Sequence, residues 1–148
     1  MLTTPHVLVG LALLAKLPPI LALPAALMSH FVFDFLLPHW NPHLYTEMKT
    51  QGRLSRNSLL IILIDGLVAL GLAVFFALKS ANFLPLIVAF LAVLPDLVEI
   101  PFYFLKYQPK WLSRYVTFEH NHQAKADIFW GSITQLIVII ACLKLLLA

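Results

Sequence analysis

Residues 29–40 read SHFVFDFLLPHW, a stretch that combines an apolar helix pattern with two histidines and one carboxylate. His30 and Asp34 are four positions apart, so on a helix their side chains lie on the same face. A carboxylate in an apolar helix is costly unless it has a partner. The stretch therefore predicts a buried polar site whose other members come from elsewhere in the chain.

The composition of the whole chain indicates an integral membrane protein. Of its 148 residues, 61% are hydrophobic and 11% are charged, whereas about a quarter of a soluble domain is charged. Most of the basic residues lie in polar segments between the apolar runs. This distribution is typical of membrane topology and argues against nucleic-acid binding. The single cysteine, Cys142, excludes an internal disulfide and a cysteine-based metal cage.

The apolar runs predict an all-α, polytopic membrane helical bundle in which residues 1–148 form a single membrane-embedded domain. Residues 5–17 form a short helix of about 20 Å, which fits a half-spanning or re-entrant segment. Four full-length transmembrane helices follow at residues 20–37, 58–78, 83–107 and 127–147. Pro95 and Pro101 predict a break in the third of these, as expected where a helix lines a polar cavity.

Two long polar segments, residues 38–57 and 108–125, are separated by two spans and therefore share one side of the membrane. These segments and their borders hold seven Lys or Arg residues, against three on the other side, which predicts that the long loops are cytoplasmic. Measured from this side, Asp34 lies about 6 Å deep, and His30, Asp65 and Glu99 lie about 12 Å deep. The buried acids thus indicate one polar site open to the cytoplasm.

Histidine and carboxylate side chains together suit zinc, manganese or iron, and a carboxylate-rich site also suits magnesium. The His30/Asp34 pair on one helix and the Asp96/Glu99 pair on another supply four ligands from two helices, a common arrangement in bundles. No Lys or Arg lies deep in any span, so a bound dication is the natural partner of these acids. Such an ion can activate water for hydrolysis.

The same residues also have structural interpretations. His30 fits a hydrogen-bonded core histidine, and the buried acids fit protonated groups or acceptors for backbone freed by the prolines. Asp65 has no close partner in sequence, so a structural role is equally compatible with its position. With Trp40, His39 and His43 fit either an aromatic belt at the membrane interface or an extension of the site. A cation- or proton-binding transporter or binding protein, and a structural protein, remain alternatives to an enzyme.

Four short motifs spread along the chain together resemble the motifs of one known family. They are Thr4-Pro5-His6 before an apolar helix with Gly10, Ser29-His30-x-x-x-Asp34, Leu94-Pro95-Asp96, and Glu119-His120-Asn121-His122. Together they resemble a bacterial family, the LexA-regulated, inner-membrane metal-dependent hydrolases. That family has a Leu-Pro-Asp-x-Asp-His element, whose last two positions are Val98 and Glu99 here. Its Ser-His-x-x-x-Asp element comes second in this chain instead of last.

The resemblance implies a bacterial inner-membrane location and a set of candidate metal ligands for zinc or manganese. These ligands are His6, His30, Asp34, Asp96 and one of His120 or His122, with His122 or Glu99 completing the set. Glu99 or Asp65 is the candidate general base. The resulting hypothesis is a membrane-embedded metal-dependent hydrolase whose partners are membrane lipids and a small-molecule or lipid substrate, such as a lipid head group or a phosphoester.

Overall fold

The computed structural model describes residues 1–148 and contains seven α-helices and no strands. The helices are α1 (Thr3–Lys16), α2 (Pro19–Leu36), α3 (Leu44–Gln51), α4 (Arg56–Ser80), α5 (Leu84–Phe104), α6 (Lys110–His122) and α7 (Ile128–Leu147). Four of them, α2, α4, α5 and α7, are long and apolar enough to cross a membrane. The prediction of an all-α bundle with four spans and a short N-terminal helix is confirmed.

The short helix α1 lies at the centre of the bundle. It packs against α2, α4, α5 and α7, and nine of its 14 residues are buried. The four long helices keep large apolar side chains exposed, among them Ile20 at 80% and Leu78 at 77%. Because an apolar surface of this extent is suited to lipid and not to water, the long helices form a lipid-facing wall around α1.

Small residues bring α1, α2 and α5 close together. A Cβ atom added to Gly10 would lie 3.6 Å from the Cβ of Ala26 in α2 and 3.1 Å from that of Ala92 in α5. Both alanines are fully buried. Small side chains at such a crossing let helix backbones approach closely. We refer to Gly10, Ala26 and Ala92 as the small-residue layer.

The polar residues of the same helices lie one turn away from this layer. His6 precedes Gly10 by four positions, whereas His30 follows Ala26 and Asp96 follows Ala92 by four. Since α1 runs antiparallel to α2 and α5, all three polar residues lie on the same side of the layer. The packing of the small residues therefore sets the distance between these polar side chains.

The two polar segments, which the sequence predicted as loops, each contain a short helix. Leu112 and Val116 of α6 are buried against Phe102 and Tyr103 of α5, and α3 also packs against α5. This i, i+4 apolar pair explains why residues 110–122 form a helix that lies on the bundle. The segments cover the end at which α2 and α5 finish, which we refer to as the capped end.

Helix α5 runs from Leu84 to Phe104 without interruption, so the predicted break at Pro95 and Pro101 is wrong. Each proline removes one backbone donor, but neighbouring helices and local adjustments tolerate prolines within membrane helices. As a result, Asp96 and Glu99 lie three positions apart on one continuous helix, at the capped end of the bundle.

Candidate metal centre

Three histidines and two carboxylates meet beneath the capped end. The Nε2 atoms of His6 and His39 lie 3.1 Å and 3.8 Å from Oδ1 of Asp34. The Nε2 atom of His30 lies 3.8 Å from Oδ2 of Asp34 and 3.7 Å from Oδ1 of Asp96. We refer to these five residues, which come from α1, α2, α5 and the segment after α2, as the polar centre.

Burial differs across the polar centre. The three histidines and Asp34 are buried, whereas the Asp96 side chain is 37% exposed. Asp34 also forms an ion pair with the amino-terminal ammonium group of Met1, whose nitrogen donates to Oδ1 at 2.6 Å. The centre is thus enclosed by protein on most sides and accessible next to Asp96.

Two of the three imidazole rings, those of His30 and His39, are oriented by their Nδ1 atoms. Nδ1 of His30 lies 3.0 Å from the carbonyl oxygen of Ala92, and Nδ1 of His39 lies 2.8 Å from that of Leu37. A carbonyl oxygen only accepts, so in the neutral ring Nδ1 donates and Nε2 carries a lone pair. Burial lowers the pKa of His39 to about 4, so this ring is neutral at pH 7. Metal-binding histidines are typically held in this way.

The Nε2 atoms of His6, His30 and His39 share one further property. All three are buried and have no hydrogen-bond partner in the structure. The Nε2 atom of His6 is near Asp34, but its position does not satisfy hydrogen-bond geometry. Buried polar atoms are nearly always paired, so three unpaired imidazole nitrogens around one carboxylate indicate a missing partner that accepts their lone pairs.

Backbone pairing holds His39 in place. Its N–H donates to the carbonyl oxygen of Ala124 at 2.9 Å, and the N–H of Ala126 donates to its carbonyl oxygen at 3.0 Å. Lys125 is therefore paired with His39 in an isolated parallel β-bridge. A Cβ atom added to Gly131 of α7 would lie 2.7 Å from the carbonyl carbon of His39, so only glycine lets α7 approach this segment.

Polar side chains of α6 and of the segment that follows it surround the polar centre. Gln123 donates from Nε2 to Oδ2 of Asp34 at 3.5 Å and accepts from Asn41 at 3.1 Å. Glu119 is buried and accepts a hydrogen bond of 3.0 Å from the hydroxyl of Tyr115. Burial raises the pKa of Glu119. The sequence interpretation missed Gln123 and Glu119, because their proximity to the centre depends on how α6 folds back over the bundle.

Two predicted catalytic residues lie next to the polar centre but outside it. Asp65 of α4 accepts hydrogen bonds from the backbone N–H groups of Thr3 at 2.6 Å and Thr4 at 3.2 Å, and so caps the start of α1. Glu99 of α5 has one buried carboxylate oxygen, Oε1, without a hydrogen-bond partner. Both residues line the same cavity as Asp96.

The two histidines of α6 that the sequence proposed as ligands lie elsewhere. The Nε2 atom of His120 lies 3.0 Å from Nζ of Lys125, and its ring stacks on Tyr45. His122 is exposed, and its Nδ1 lies 2.8 Å from the carbonyl oxygen of Phe118. The structure therefore brings together His6, His30, Asp34 and Asp96 with His39, and does not bring His120 or His122 into this group.

A cavity of about 410 Å³ extends from the polar centre toward the capped end. Its volume lies within the range of small-molecule binding sites. Polar side chains line one part of it, among them His39, Asp65, Asp96, Glu99, His120 and Lys125. Apolar side chains of α4 and α5 line another part.

No protein-family model, curated protein or solved structure matches this chain. The resemblance to the LexA-regulated hydrolases therefore stays a prediction.

Proposed function

We propose that this chain is a membrane-embedded, metal-dependent hydrolase whose polar centre binds one zinc or manganese ion. The observation that carries the proposal is the convergence of three buried, unpartnered Nε2 atoms, from His6, His30 and His39, on the carboxylate of Asp34. Unpaired polar atoms destabilise a bundle interior by about 1–3 kcal/mol each. A cation that accepts the three lone pairs removes this penalty.

The spacing of the donor atoms supports a divalent ion. In a tetrahedral zinc site, with metal–ligand distances near 2.0–2.2 Å, neighbouring ligand atoms are about 3.3–3.6 Å apart. The nitrogen–oxygen distances in the polar centre run from 3.1 Å to 3.8 Å. Donor atoms of His6, His30 and Asp34 all lie within 4.8 Å of one another. A mixed set of imidazole and carboxylate donors suits zinc and also suits manganese.

Hydrolysis fits the residues around this centre. A divalent ion supplies Lewis acidity and makes a coordinated water nucleophilic near neutral pH. Glu99 fits the general base, because its buried Oε1 has no partner and it lines the cavity together with Asp96. Asp65 fits this role less well, since both of its carboxylate oxygens already accept backbone hydrogen bonds.

The charge distribution supports a cytoplasmic position for the capped end, whereas a bacterial inner membrane is what the resemblance to the LexA-regulated hydrolases implies. The capped end and its borders carry seven of the ten Lys and Arg residues, and the opposite end carries three. Positively charged loops remain on the cytoplasmic side during insertion. The cavity then opens toward the cytoplasm and the inner leaflet.

Transport of a cation or a proton is less compatible with the bundle. A charge pathway needs polar groups on both sides of the small-residue layer. Away from the capped end, however, α1 is surrounded by apolar side chains, among them Ala69, Ala73 and Phe76 of α4. The buried polar residues Thr4, His6, Ser29, His30, Asp34, His39, Ser58, Glu119 and Gln135 lie toward the capped end or in the segments that cover it.

Metal analysis of the purified full chain tests the proposal. We expect about one zinc or manganese ion per chain, and loss of this ion in the double variant His30→Ala/Asp34→Ala. His122→Ala is the matched control and should keep the metal, because this histidine is exposed. Wild-type protein that is folded yet neither contains nor takes up either ion contradicts the proposal.

The hydrolytic step needs a separate measurement. We expect Glu99→Gln to retain the metal and to lose hydrolysis of phosphoester substrates by about 100-fold or more. A metal-loaded wild-type protein that hydrolyses no such ester would instead be a metal-binding protein without this activity.

A further inference from the structure

The mouth of the cavity carries a second polar group, distinct from the polar centre. Nζ of Lys125 lies 3.0 Å from Nε2 of His120, and both residues line the cavity. The ring of His120 is held against Tyr45, with 4.1 Å between ring centroids and 21° between ring planes. No carboxylate oxygen lies within 4.0 Å of Nζ of Lys125, so the Lys125 ammonium has no carboxylate partner.

The β-bridge fixes the backbone of Lys125 relative to the polar centre. Lys125 is paired with His39, and backbones paired in this way are about 5 Å apart. His39 directs its Nε2 toward Asp34, whereas Lys125 lines the mouth of the cavity. A ligand that contacts the ammonium is therefore within reach of the polar centre.

The opposite wall of the cavity is apolar and continues onto the outer surface of the bundle. Leu97, Ile100 and Phe104 of α5 line the cavity, and all three are exposed. Their spacing of i, i+3 and i+7 places them along one face of the helix. Since α5 is one of the membrane-spanning helices, this face gives the cavity a side that is open to lipid.

We propose that the cavity binds a lipid phosphoester, with Lys125 and His120 contacting the phosphate oxygens and the apolar face of α5 contacting an acyl chain. A carboxylic ester has no anionic oxygen for Lys125. A phosphoester offers an anionic oxygen to this cation and its ester bond to the polar centre. Lys125 donates one N–H to His120, which leaves two for the ligand.

This inference names the substrate class of the proposed hydrolase. The reaction rests on the proposed function, whereas binding of the lipid does not. In the reaction, a water oxygen forms a bond to phosphorus and the bond from phosphorus to the alcohol oxygen breaks. The proton that leaves the water ends on the released alcohol. The products are a phosphate-containing fragment and an alcohol.

Lipid binding to the full chain in detergent micelles tests the inference. We expect phosphatidic acid to bind more tightly than a diacylglycerol with the same acyl chains, and Lys125→Gln to weaken its affinity about tenfold through loss of a charge-assisted hydrogen bond. Lys110→Gln is the matched control, because Lys110 is exposed on α6 and does not line the cavity. Diacylglycerol binding should be equal in all three proteins.

The remaining outcomes separate this inference from the proposed function. Equal affinity of wild type and Lys125→Gln for phosphatidic acid overturns the inference. Inorganic phosphate that binds as tightly as phosphatidic acid also overturns it, because the apolar face then contributes nothing. Metal content is measured in the same samples. A metal-free wild type whose binding of phosphatidic acid depends on Lys125 contradicts the hydrolase and leaves the lipid site intact.

Discussion

One helical turn separates the polar centre from the small-residue layer, and α1, α2 and α5 contribute to both. In the layer, Gly10, Ala26 and Ala92 pack closely without polar side-chain atoms. In the centre, His30 and Asp34 lie among nitrogen atoms that lack partners. The layer therefore stabilises the helix crossing, whereas the centre without a ligand destabilises it. Close packing beside a functional site is what allows such a destabilising arrangement to persist.

The largest effect is expected from removing a donor atom of the polar centre. His39→Ala should weaken metal binding by more than about 100-fold, beyond the loss typical of residues that only support a ligand. His43→Ala should have no effect, since His43 is exposed four positions further along the same segment. Competition with a coloured chelator measures both affinities. Similar values for the two variants would show that the centre does not need its third imidazole.

The next largest effect concerns the start of α1, where variants of Asp65 distinguish a structural role from a catalytic one. Asp65→Ala should lower the free energy of unfolding by about 1–3 kcal/mol, because two backbone N–H groups lose their acceptor. Asp65→Asn keeps one acceptor oxygen and should lower the free energy of unfolding by a smaller amount. Thermal unfolding in detergent gives both values. An Asn variant with wild-type stability but no hydrolysis would identify Asp65 as the general base instead of a cap.

A smaller effect is expected from the small-residue layer. Gly10→Ala places a Cβ atom 3.1 Å from that of Ala92 and 3.3 Å from the carbonyl oxygen of Val88. Overpacking outweighs the gain in helix propensity, so we expect a loss of about 1 kcal/mol. Gly71→Ala is the matched control, because its Cβ meets no atom within 4 Å and should be neutral or stabilising. Equal free energies of unfolding for the Gly10→Ala and Gly71→Ala variants would show that α1, α2 and α5 can move apart at Gly10 without cost.

The smallest effect lies outside both regions, where Glu47 of α3 accepts from the N–H of Ser55 and the hydroxyl of Ser58. Burial acts to raise the pKa of Glu47, but these hydrogen bonds outweigh it and lower the pKa below its usual range. The stabilisation is therefore present above the ordinary pKa of 4.5 and is lost as pH falls through the lower folded value.

We expect Glu47→Gln to reduce stability slightly at pH 7, and to flatten the decrease that wild type shows on acidification below pH 4.5. Unfolding curves measured between neutral and acidic pH test this. An unchanged acid-dependent slope would show that Glu47 does not cause the decrease.

Much of the fold follows from the sequence, because an apolar run must be long enough to cross the hydrocarbon core. The placement of His30 and Asp34 on one face follows from helical spacing. The central position of α1 does not, since a 13-residue apolar run fits the edge of a bundle equally well. The continuity of α5 depends on tertiary packing around Pro95 and Pro101, which local propensity does not encode.

The position of His39 was left open for a different reason. Its ring is held in the centre by pairing with Ala124 and Ala126, and by the close approach of Gly131. These residues are far away in sequence and have no periodic relation to His39. In α6, by contrast, Leu112 and Val116 carried a local signal for a helix that the interpretation as a polar loop overlooked.

The pairing of His39 with residues 124–126 also determines when the centre can be completed during synthesis. A nascent chain exposes His6, His30 and Asp34 long before the ribosome reaches Ala126. Until then, the backbone of His39 has none of the partners that hold it in the folded protein. The third imidazole can therefore be held in place only after residues 124–126 have been synthesised, so the centre is completed late in the synthesis of the chain.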